Sequence, residues 1–123
     1  MTNLVPTPRF WRLVAAALGL TAVALAAAAA HAIADPKAAL SVERAAIMQL
    51  IHAVLLVYLA SLPGSWIRLA RWATLLGLVL FCGGIYTKYF AEIVSAGALA
   101  PTGGVMLMLG WTLLGLSTFT KDN

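Results

Sequence analysis

Residues 10–33 read FWRLVAAALGLTAVALAAAAAHAI, and this stretch decides the class of the chain. A helix that crosses a bilayer needs roughly 20 mostly apolar residues. The run is long enough, opens beside the basic Arg9 and Arg12, and stops at Asp35-Pro36. Proline disfavours helical geometry at the residue before it, so the first helix ends there. Three similar runs follow, at residues 45–62, 69–90 and 101–119. Pro63-Gly64-Ser65 turns the chain between the second and third, and Ser95, Gly97 and Pro101 break it before the fourth. The expectation is one domain over residues 1–123: an all-α membrane protein built as an antiparallel bundle of four transmembrane helices.

Composition supports the reading. Hydrophobic residues make up 63% of the 123 and charged residues only 10%, against roughly 25% charged in soluble domains. A water-soluble domain of this length hides only about 60–70% of its unfolded surface, too little for so apolar a chain. Lipid removes the problem. No hydrophilic stretch is left to hold a soluble catalytic module, and no enzymatic activity is expected. The net charge of +4 comes from eight Lys and Arg, most of them near helix ends, which points to orientation and headgroup contact rather than to nucleic acid. Cys82 is the single cysteine, so no internal disulfide forms.

Orientation follows from where those eight cations fall. Arg9, Arg12, Arg68, Arg71 and Lys121 lie on one side, and Lys37, Arg44 and Lys88 on the other. The positive-inside rule then places both termini in the cytoplasm. Trp66 and Trp72 beside Arg68 and Arg71 form an interfacial belt on that side. Ser41 is the expected cap of the second helix, with Glu43 in its first turn. Lys88 and Glu92, spaced i,i+4, are expected to pair on one helix face. Ala30-His31-Ala32 also reads as a signal-peptide cleavage pattern, but the apolar run before it exceeds the usual 7–15 residues of a signal core, so the first helix is expected to stay.

Ionisable and polar side chains inside a bilayer are costly and mark candidate sites. Here they gather toward the non-cytoplasmic half: His31 at the end of the first helix, Gln49 and His52 on one face of the second, Tyr86 on the third, Thr102 on the fourth. One reading makes them an outer-leaflet pocket for a quinone, a lipid headgroup or a haem, with His31 and His52 as axial ligands of the last. The other makes them interhelical hydrogen-bond glue worth about 0.6–2 kcal/mol each, and that reading is preferred, with no cofactor expected. All four carboxylates lie at helix ends or in loops, which argues against a proton-coupled exporter. Gly83, Gly84, Gly103, Gly104 and Gly110 are expected to let helices approach closely. Trp111 fits either the bundle interior or a lipid-facing position.

Four motifs in order carry a resemblance: Ala30-His31-Ala32; Gln49-x-x-His52-Ala53; Leu80 to Tyr86, LFCGGIY; and Pro101-Thr102-Gly103-Gly104 followed by Gly110-Trp111. Their order and spacing over residues 10–119 resemble the domain-of-unknown-function family numbered 423, whose members include the human transmembrane protein 256. The chain departs from that pattern at Ala26 to Ala30, where glycines are usual, at Cys82 in place of Ser, at Ala100-Pro101 in place of Thr-Pro, and at Met48 where an aromatic residue is common. The resemblance implies a small four-helix inner-membrane protein of uncharacterised activity. With it comes the functional expectation: an accessory or structural subunit packed against a larger membrane complex, the ligand carrier being the alternative.

Overall fold

The computed structural model describes residues 8–120. Four long helices follow one another: α1 (Pro8–His31), α2 (Pro36–Ala60), α3 (Ser65–Phe90) and α4 (Ala100–Ser117), with a 3-10 helix, η1 (Val94–Leu99), leading into α4. At 1.5 Å per residue, α1 to α3 are each about 36–39 Å long, enough to cross a hydrocarbon core of about 30 Å. All four elements, η1 and α4 counted together, are apolar enough to span. Lys121, counted above toward orientation, lies outside the described residues.

The start of α2 differs from the sequence expectation. The helix begins at Pro36 rather than near residue 45, and Asp35, not Ser41, caps it. The Asp35 carboxylate accepts the Ala38 N–H at 3.1 Å, and a proline directly after a capping aspartate is preorganised for a first turn. The same Asp-Pro that stops α1 therefore starts α2. Lys37, Glu43 and Arg44 form the exposed side of its first turns, while Ala38, Val42, Ala45 and Ala46 face inward at helical spacing. Ser41 instead donates to the Tyr89 hydroxyl at 3.3 Å.

The turn into α3 uses Gly64 at φ 109°, a conformation closed to side chains with a Cβ. Arg71 reaches back across this turn: its Nε donates to Leu59 O at 3.1 Å and its Nη2 to Leu62 O at 2.7 Å. It thus adds a second partner to Leu59 O, which already accepts the Leu62 N–H, and covers Leu62 O beyond the helix, where a cation also suits the helix dipole. Beside it, Trp11 is buried and stacks edge-on against Trp72 at 4.9 Å between ring centres. At the opposite end α3 stops at Phe90, and Glu92 takes φ 57° beyond it. The expected Lys88–Glu92 pair loses its basis, because Glu92 is no longer on the helix.

α2 and α3 form the centre. α1 packs on α2 and α4 on α3, and among the described residues no Cα of α1 lies within 8 Å of α4. Gly103 brings the α3 and α4 backbones together: a Cβ there would fall on the Phe81 amide nitrogen and 2.7 Å from Gly77 O. One heptad on, a Cβ at Gly110 would lie 2.5 Å from Thr74 Oγ1. That hydroxyl is buried with no hydrogen-bond partner. Gly84 is held against Ala96 O of η1. The other two expected packing glycines differ: Gly104 meets only the edge of the Phe81 ring at 3.8 Å, and Gly83 has nothing within 4 Å.

Candidate functional site

Gln49 and His52 of α2 are both buried, each only 3% exposed. Three residues apart, they point about 60° apart around the helix axis, and this small angle sends them to different neighbours. Gln49 faces α1 and α3. Its Nε2 donates to Leu18 O and to Thr21 Oγ1, both at 2.7 Å, and its Oε1 accepts from the Tyr86 hydroxyl at 2.9 Å. The Thr21 hydroxyl passes its own proton back to Ala17 O at 2.9 Å. Next to this chain, the Cys82 thiol donates to Ala45 O at 3.3 Å. One amide thus ties three helices.

His52 faces α4. The Trp111 indole N–H donates to its Nε2 at 3.0 Å, and its Nδ1 lies 2.7 Å from Met48 O. An indole can only donate, so Nε2 must accept and the proton must sit on Nδ1, where it binds the Met48 carbonyl. The imidazole is neutral and both nitrogens are engaged. Axial ligation of a haem would require breaking one of these bonds. Trp111 is 47% exposed, so its ring faces lipid while its N–H points inward, the usual arrangement for an amphipathic indole.

The five residues expected to form one pocket therefore separate. Gln49 and Tyr86 are joined directly. His52 belongs to a second tie through Trp111. His31, exposed on the last turn of α1, and Thr102, exposed on the first turn of α4, stand on the surface and enter neither network. Thr21 was not singled out by sequence, although it is the only hydroxyl residue between 10 and 33. That isolation in an apolar helix was the available signal.

Over the Gln49 network lies a groove of about 360 Å³ between α1 and α3, walled by Leu18, Leu25, Leu78, Val79 and Gly83. Its open surface is apolar because the polar groups beneath it are turned onto one another. Such a groove matches hydrocarbon in polarity. It presents no free nucleophile or base.

Residues 25–104 match the family described as "Protein of unknown function (DUF423)". Among similar proteins, a "UPF0382 membrane protein" of Haemophilus influenzae is 32% identical over 111 residues, covering 85% of this chain and 90% of its own. A UPF0382 membrane protein of Staphylococcus haemolyticus is 32% identical over 80 residues, 63% of this chain and 66% of its own. One from Staphylococcus aureus is 29% identical over 80 residues with the same coverage. The chain thus spans just under two thirds of the staphylococcal relatives. No solved structure matches. The family match takes in Gln49, His52, Tyr86 and the Gly103-Gly104 pair, and the Haemophilus relative extends the likeness to most of the chain: the protein belongs to the DUF423 family of membrane proteins.

Proposed function

We propose that the protein is a small accessory subunit, without a reaction of its own, that packs laterally against a larger complex of the bacterial inner membrane with both termini in the cytoplasm. The groove between α1 and α3 carries this reading. Its polar floor is satisfied internally, while its wall at Gly83 is open, with nothing within 4 Å of a Cβ placed there. The exposed side of α1 interleaves Ala16, Ala17, Ala24 and Ala27 with the exposed Leu13, Leu20 and Val23, so small and large side chains alternate along it. In a bilayer, helices associate through close packing of small residues, and lipid contact does not require them. The occupant is then a transmembrane helix of the partner, laid along α1 and over Gly83.

Gly83→Leu tests this directly. A Cβ at this position meets nothing within 4 Å and the longer side chain enters the open groove, so the variant's thermal stability in detergent should match the parent. After mild solubilisation and native electrophoresis, the parent should migrate well above its 12.9 kDa, and the variant should run free. A parent that runs only as free monomer would sink the reading. A reporter fused after Asn123 that is active only in the cytoplasm tests the orientation.

A further inference from the structure

A second cavity, of about 450 Å³, lies at the end of the molecule away from the termini, between the α1–α2 turn and the end of α3. Asp35, Lys88, Tyr89 and Glu92 line it, with Ile33 and Val94 as its apolar rim. Its size falls within the roughly 300–1,000 Å³ of small-molecule sites. Because α1 and α3 are longer than the hydrocarbon core is thick, their ends stand at headgroup level. A mixed-charge cavity therefore opens where phospholipid headgroups lie, with an apolar edge toward the acyl chains.

The lining carries both signs of charge. Among the described residues no ion pair joins Lys88 to Asp35 or Glu92, so both signs remain available. The Lys88 ammonium is 5.1 Å from the centre of the Tyr89 ring. Tyr89 accepts from Ser41, which leaves its own O–H to donate. The lining thus offers a cation and a hydroxyl donor, suited to a phosphate, and two carboxylates, one from the α1–α2 turn and one beyond α3, suited to an ammonium. Asp35 keeps one oxygen on the Ala38 N–H as the α2 cap and has a second oxygen to give. Glu92 sits at φ 57°, the one non-glycine residue among those described with positive φ.

From this we infer that the cavity binds the headgroup of a zwitterionic phospholipid with a primary ammonium, the phosphate on Lys88 and Tyr89 and the ammonium between Asp35 and Glu92. A primary ammonium donates hydrogen bonds to carboxylates, which a quaternary choline cannot. An anionic phosphatidylglycerol could place its phosphate on the same cation but brings no ammonium to the two carboxylates. The site is separate from the α1–α3 groove and holds whether or not a larger complex is joined.

The test is lipid competition on the full chain. The protein is placed in nanodiscs of equal parts phosphatidylethanolamine, phosphatidylcholine and phosphatidylglycerol, released, and its retained lipid identified by native mass spectrometry. Retained phosphatidylethanolamine should exceed each of the others by roughly fivefold, about the weight of one charge contact at a membrane surface. Glu92→Gly removes a carboxylate yet suits the positive φ, and should bring phosphatidylethanolamine and phosphatidylglycerol to near parity. Lys88→Gln should lower retention of both. Equal retention of the three lipids by the parent overturns the inference, however the variants behave. So does a folded Glu92→Gly protein with an unchanged preference.

Discussion

The two flanks of the molecule differ in how each meets the helix it lies on. α4 lies on α3 through backbone proximity, with Gly103 on the Phe81 amide and Gly77 O, and Gly110 on Thr74. α1 lies on α2 over the buried Ala15, Ala22 and Ala29 and is fixed there by an amide, with Gln49 reaching Leu18 O and Thr21. The first device is steric and fails at the first added methyl, because backbone cannot swing aside. The second is a set of directed bonds, each of modest worth in a membrane, and it weakens by degrees. A flank fixed by glycine has a defined distance. A flank fixed by an amide has a defined rotation and depth.

The sharpest break of this contrast is Gly103→Ala. Its methyl would land on the α3 backbone, so the helices must part, at a cost of about 1–3 kcal/mol or more. Chemical denaturation in detergent micelles would read that loss, and an unchanged midpoint would refute the close approach. Gly110→Ala should cost less, because it meets a side-chain oxygen rather than backbone. Adding Thr74→Ala should recover much of the loss, and strict additivity of the two substitutions would show that they do not touch. Gln49→Leu should be milder still, about 0.6–2 kcal/mol. Tyr86→Phe removes only one of its bonds and should cost a part of that. If Gln49→Leu proved as damaging as Gly103→Ala, the distinction between the flanks would collapse.

Much of the architecture was legible in the chain. The four apolar runs gave the spans, and Gly103 and Gly110 follow from the rule that small residues mark close helix contacts. The α2 start was not, because Asp35-Pro36 carries two meanings, a stop for the preceding helix and a cap with first residue for the next. The polar residues were legible as a set but not as partners. Helix rotation is fixed by packing and not by spacing, so Gln49 and His52 share a face by sequence yet serve α1 and α3 on one side and α4 on the other. Trp111, ambiguous by sequence, resolves once its N–H is seen to meet His52. Gly83 shows the opposite limit: a small residue in a glycine pair, with no neighbour to be small for.

Arg71 gives the turn between α2 and α3 a property beyond stability. It is one of the cations that set the charge difference between the two ends of the bundle, and it is also the side chain that closes the carbonyls of Leu59 and Leu62. The charge on which the proposed orientation rests and the closure of the central hairpin thus fall on the same residue. A change that removes the charge also unlatches the hairpin, so this part of the topological signal cannot drift without a penalty in folding.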